Sequence, residues 1–104
     1  MTTRVLRFAC DRRHDTLSNI IRDNRVTLSL VALPDIAVSI RGRARVLKEK
    51  MTVMETDAVV EVKVEEVKND FIPGSKIETG ITYSVAGNLV PLLEKYLAEV
   101  REAR

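Results

Sequence analysis

The sequence predicts a single mainly β domain with two helices, its strands enclosing the core of a small barrel or sandwich. Three observations carry this. Apolar and polar residues alternate with a period of two along most of the chain, two short stretches carry apolar residues at helical spacing instead, and 104 residues suffice for one core. Residues 1–104 are therefore read as one domain. With aromatic residues at 4% and no Trp, that core has to be assembled from Val, Ile, Leu and Ala. A domain this short leaves much of its surface uncovered, and pairing with a second copy is the expected remedy.

Arg4 to Ala9 reads as a first strand, followed by the polar run "CDRRHD". In "DTLSNIIRDN", Leu17, Ile20 and Ile21 fall at i, i+3 and i+4, the apolar stripe of a helix with Asp15 as N-cap and Asp23 and Asn24 at the exit. From Arg25 to Leu33, Val26, Leu28, Leu30 and Ala32 point one way and Thr27 and Ser29 the other. Pro34 and Asp35 then make a turn. In "IAVSIRGRARVLKEK" the residues Ile36, Val38, Ile40, Ala44 and Val46 share a face with Gly42, and a glycine inside a strand signals a bulge, a bend or a close backbone approach. "MTVMETD" fits no period. In "AVVEVKVEEVKND" valines 60, 62 and 64 face inward until the phase slips at Glu66 and Val67, as a bulge requires. "ETGITYSV" after the Pro73–Gly74 turn predicts another strand, and "NLVPLLEKYLAEVREAR" a final helix with Asn88 as N-cap. Its Leu89, Leu92, Leu93, Tyr96, Leu97 and Val100 form a packing stripe.

Seventeen basic and fifteen acidic residues leave a net charge of +2, spread along the chain, which does not indicate bulk nucleic-acid binding. The aromatic residues are too scattered to make a stacking platform for single strands. Arg41, Arg43 and Arg45 alternate on one strand face, and Glu61 and Glu65, alternating with Lys63 on another strand, are the expected cross-strand partners. Cys10 stands alone, excluding an internal disulfide and a multi-cysteine metal site, and it ends a strand, so it is read as buried and inert. The N-terminal apolar stretch is too short for a secretory signal and no run reaches the length of a membrane span, so a cytoplasmic location is expected.

"DRRHDT" is the one stretch with the parts of an anion site. Arginine forks suit phosphate oxygens, and the first turn of a helix offers unpaired amides and a partial positive charge. The same residues equally suit a solvated turn ahead of a helix capped by Asp15. No nucleophile, metal or acid–base constellation is recognisable.

The succession "VLRFACDRRHDTLSNIIRDNRVTLSLV", "VSIRGRARVL", "AVVEVKVEEVKND" resembles the split-barrel flavoproteins related to pyridoxamine 5'-phosphate oxidase, over about residues 4 to 70. The resemblance implies an antiparallel split β-barrel of the FMN-binding kind, a homodimer holding flavin mononucleotide (FMN) between its subunits, and a flavin-dependent oxidoreductase acting on an unidentified small molecule. Carried over by position, the cofactor-binding residues would be Arg12, Arg13, His14, Thr16 and Ser18, with Arg41 on the long strand near the ring. Relatives usually have a helix and two strands ahead of the strand matching Arg4 to Ala9, so a shortened barrel is expected, and where relatives often carry a lysine this chain has Asp15. The other class of reading is a flavin-free dimeric binding or structural module on the same scaffold.

Overall fold

The computed structural model describes residues 4–80 and 84–103. It shows a mainly antiparallel β fold, a four-stranded sheet curled into a half-barrel with two helices. In chain order come β1 (Val5–Asp11), α1 (Asp15–Arg22), β2 (Arg25–Ala32), β3 (Ile36–Lys48), β4 (Asp57–Asn69), a single 3-10 turn (Gly87–Leu89) and α2 (Val90–Glu102). The sheet order is β1-β4-β3-β2, every pair antiparallel. The long β3 and β4 are thus central, each with a shorter edge strand beside it.

Alternation sorts the side chains onto two faces. On the inner face Ala58, Val60 and Val62 of β4 and Ala44 of β3 are buried under Leu17 and Ile20 of α1, with Leu6, Phe8, Val26, Leu28 and Val46 packed around them. On the outer face Met51 and Val59 are covered by Val100 and Ala103 of α2, with Ala9, Leu47 and Tyr96 at the margin. α1 covers only the proximal part of the inner face, because eight residues span about 12 Å while β3 and β4 run on for several residues more.

Two irregularities bend the central pair. Arg41 pairs with Glu66 but Gly42 with Val64, so Glu65 is the extra residue of a bulge, one or two positions before the phase slip seen in the sequence. The inner face is restored beyond it, where Val67 lies opposite Ile40. Gly42 is the close approach: a Cβ there would lie 2.3 Å from the Lys63 carbonyl oxygen and 2.8 Å from Val62 Cγ1. A second shift, between Val46 and Lys48, leaves Leu47 as the extra residue and turns it toward α2.

Several local expectations are corrected. His14, not Asp15, is the N-cap of α1, with no side-chain cap bond; Asp15 is the first helical residue. Ile21 points outward, since a helix of two turns buries only the pair that meets the sheet. Asn88 lies within the 3-10 turn, and Leu89 precedes α2, again without a side-chain cap bond. The strand expected at "ETGITYSV" falls partly outside the described residues; the described flanks, 78–80 and 84–85, are not strand. The stretch after β4 turns back toward the β2–β3 hairpin, where the Ile77 amide donates to the Pro34 carbonyl at 2.8 Å.

α2 is held by a few strong polar contacts. Glu99 accepts hydrogen bonds from Lys48 Nζ (2.7 Å), the Thr52 amide (2.7 Å) and the Val53 amide (2.8 Å), so one carboxylate ties the helix to the β3–β4 connection. Glu61 is shared between Arg7 Nε (3.0 Å) and Arg45 Nη2 (3.1 Å), and the Arg7 Nη1 donates to the Arg101 carbonyl in the last turn of α2. Tyr96 Oη donates to Asp57. The apolar stripe of α2 is only partly used: Tyr96 and Val100 pack, whereas Leu89, Leu92, Leu93 and Leu97 remain exposed.

Candidate functional site

The turn from β1 into α1 is built by its own charges. Asp11 Oδ1 accepts from the Arg13 amide at 2.8 Å and from Arg13 Nε at 3.0 Å, while Oδ2 accepts from Nη2 at 2.6 Å. This is an Asx turn closed by an arginine fork, and it holds the Asp11 carboxyl well below the usual carboxylate range. His14 Nε2 stands 3.8 Å from Asp11 Oδ2. Arg12 faces the other way: its amide donates to the Thr56 carbonyl (2.8 Å) and its Nη1 to the Glu55 carbonyl (3.2 Å). Both arginines of the predicted cradle are therefore engaged within the chain, one by a carboxylate and one by backbone.

The same device recurs at the far end of α1. Asp23 Oδ1 accepts from the Arg25 amide at 3.1 Å, and Oδ2 from Arg25 Nη2 at 2.7 Å, which lowers the Asp23 pKa to about 2. Aspartate two residues ahead of arginine thus brackets the helix on both sides, a spacing visible in "DRR" and "DNR". That spacing was the available signal for Asp11 as the partner of Arg13.

Because His14 contributes no cap, the first-turn amides of α1 meet no side-chain acceptor from the N-cap, and Asp15 does not close them. Ser18 Oγ donates to the Asp15 carbonyl at 3.0 Å, away from the amides. Thr16 lines a groove of about 500 Å³ that runs the length of α1 against β2. Phe8, Ile20, Val26 and Leu28 give it an apolar floor, and Asn19, Arg22 and Thr27 a polar margin. The sequence marks Ile20, Val26 and Leu28 only as core-facing positions, since the groove arises only when α1 lies over the sheet.

The structure brings Arg12, Arg13, His14, Thr16 and Ser18 together on one loop and helix start. Arg41 is not among them. It lies on the outer face, opposite Glu66 in the register with its Nη1 3.7 Å from Glu66 Oε2, whereas α1 covers the inner face. Cys10 is half-buried, and burial first, then Asp57 and Asp11, push its thiol pKa up, so the turn's arginines do not activate it.

No group of three or more His, Cys, Asp or Glu residues is arranged to hold a metal ion among the described residues. None of the described helices is long and apolar enough to cross a membrane. Set against known proteins, the chain matches no family model, no curated protein and no solved structure.

Proposed function

We propose that the chain is one half of a split-barrel homodimer that binds FMN, with the α1–β2 groove as the flavin site and the start of α1 as its phosphate end. The observation that carries this reading is the groove itself. About 500 Å³ lies within the range of small-molecule sites, its floor is apolar, and Thr16 lines it beside helix amides that no side chain caps. Bound there, the flavin would supply the hydride or electron chemistry of an oxidoreductase. The chain's own part would be to hold it: Phe8, Val26 and Leu28 beneath the ring, Thr16 and the first-turn amides at the phosphate with Arg13 and His14 beside them, while Arg12 and Ser18 are turned to backbone carbonyls. Arg41 could reach such a ligand only from a second copy.

Pairing is supported by what the half-barrel leaves bare. Beyond α1 the inner face continues through Leu28, Ile40 and Val67 in one cross-strand row and Leu30, Val38 and Asn69 in the next, with no charged residue. Leu30 is 48% exposed, Ile36 47% and Val67 51%. The accessible area is 8132 Å², against about 5,900 Å² for a compact monomer of this mass. An excess of about 2,200 Å² includes the irregular segment after β4, yet also spans what one subunit of an obligate dimer buries. An uncharged patch can face its own copy without like-charge repulsion.

The flavin-free module is the second reading, favoured by the fork of Asp11 on Arg13. A phosphate would have to draw that guanidinium away from a carboxylate. Titration of FMN against the purified chain separates the two: quenching of flavin fluorescence that saturates at one flavin per chain supports the flavin site. Undiminished fluorescence at high protein concentration removes it and leaves the module.

A further inference from the structure

The outer face of the sheet carries a charge arrangement that the pairing of alternate strands does not neutralise. Arg43 lies beside Arg25 across β2 and beside Lys63 across β4, while Arg41 and Arg45 flank it two residues away along β3. Its four register neighbours on that face, two across the sheet and two along the strand, are therefore all cations. Cross-strand neighbours sit about 5 Å apart, where like charges destabilise a sheet. Arg45 has Glu61 opposite, as expected, and Arg41 has Glu66, which the bulge at Glu65 brings into register. Arg43 has instead the amide oxygen of Asn24 at 3.1 Å and the bulged Glu65 at 3.6 Å, and Lys63 makes no ion pair among the described residues. With Arg7, six cations meet four carboxylates here, an excess of two. That equals the net charge of the whole chain.

Two shallow depressions adjoin Arg43. One, of about 380 Å³, is walled by Arg25, Thr27 and Arg41 together with the carboxylates of Asp23 and Glu65; the other, of about 370 Å³, by Asn24, Arg45, Glu61 and Lys63. We infer that this cross of cations is a binding site for a small phosphomonoester, whose two charges match the local excess and whose oxygens suit guanidinium forks. The depressions have the volume of a small ligand. The site stands on the sheet face opposite α1 and does not rest on the flavin reading: a chain that ignores FMN can still hold a phosphate here.

The test is a titration of inorganic phosphate and of phenyl phosphate into the full-length ¹⁵N-labelled chain at low ionic strength, following arginine Nε–Hε and backbone signals. Saturable one-to-one binding is expected, with shifts gathered on Arg25, Arg41, Arg43 and Lys63. Arg43→Gln should weaken it about tenfold, the value of one charge-assisted contact. The same substitution should leave the melting temperature unchanged or raise it, because it relieves repulsion; a merely structural arginine would lower it. Lys63→Gln, which severs no ion pair in the fold, gives the same affinity readout should Arg43→Gln fail to fold. Shifts that never saturate, shifts confined to Arg12, Arg13 and Thr16, or full affinity in both variants would overturn the site. So would an oligonucleotide displacing phosphate at far lower concentration with steep salt dependence, which would make the face a nucleic-acid surface.

Discussion

Replacing Gly42 by alanine puts a methyl carbon 2.3 Å from a backbone oxygen and 2.8 Å from a valine methyl. Neither neighbour can swing aside freely. Lys63 is held in the ladder between β1 and β3, and Val62 belongs to the fully buried core. A normal carbon–oxygen contact needs about another ångström, so β3 and β4 must part locally, beside the bulge that sets their register. Overpacking of this kind costs about 1–3 kcal/mol, and a backbone obstacle puts the case at the upper end. The alanine chain recovers about 0.5–1 kcal/mol through its smaller unfolded-state entropy. The net loss is about 2 kcal/mol, equivalent to about 8–16 °C of melting temperature for a domain near this size. Thermal melts by circular dichroism, at one fixed protein concentration, measure it. Gly87→Ala is the control, because nothing lies within 4 Å of the methyl it adds. If Gly42→Ala melts with Gly87→Ala, then β3 and β4 are not in contact at residues 42 and 63, and the bulged register is wrong.

Glu99→Ala strips two amides and Lys48 of their acceptor and should cost about 2–3 kcal/mol, read from urea unfolding, with α2 the first element to lose amide protection in hydrogen exchange. The carboxyls of Glu99 and Glu61 both lie below the ordinary range: burial opposes the charge on Glu99, but Lys48 and the two amides outweigh it, and Arg7 and then Arg45 hold Glu61 down. A lowered folded-state pKa stabilises the fold above the unfolded value and ceases to do so as pH falls through the folded one. Stability should therefore hold from neutrality to about pH 5 and decline below about 4.3, and a flat profile down to pH 3 would contradict those pairings. Leu30→Lys sets a charge in the uncovered inner-face rows; if those rows pair between two copies, sedimentation should show a dimer for the parent chain and a monomer for the variant, with little change in the circular dichroism of the sheet, and a parent chain that sediments as a monomer would refute the pairing. Asp15→Lys exchanges an exposed acid in the first turn of α1 for a cation. If the flavin phosphate sits there, FMN should bind about tenfold tighter, and unchanged affinity would move the phosphate elsewhere.

What could be read from the sequence follows from which interactions are local. The strand phases were legible because one face of each central strand is buried, and burial imposes a period of two that survives in the letters from Val26 to Leu30 and from Ile36 to Val46. The bulge was legible for the same reason: an extra residue at 65 shifts the period at Glu66 and Val67 and leaves a visible break. Gly42 announced a close approach, though only the structure names its partner, because the Lys63 carbonyl reaches it through a register with a strand about twenty residues away.

The side-chain partners of the charged turn were less legible. "DRRHD" offers two acids and two arginines, and composition cannot say which acid takes which cation. Asp15 drew attention as a helix cap, yet Asp11 closes the Asx turn and binds Arg13, and Asp15 is left on the first turn without that task. The two cases differ by geometry that recurs at Asp23 and Arg25: an aspartate two residues before an arginine accepts the arginine's own amide, so backbone and guanidinium converge on one carboxylate. Wherever that spacing precedes or follows a helix, the arginine is a cation already in use, and an anion can recruit it only by outcompeting a carboxylate. Arg43 is the contrasting case, with no aspartate at that spacing, cations at its four register neighbours, and only the bulged Glu65, at 3.6 Å, as an acidic partner. By this reasoning an incoming phosphate meets least competition at Arg43 and Lys63, which no such aspartate holds, whereas Arg25 on the same face is locked by Asp23 as Arg13 is by Asp11.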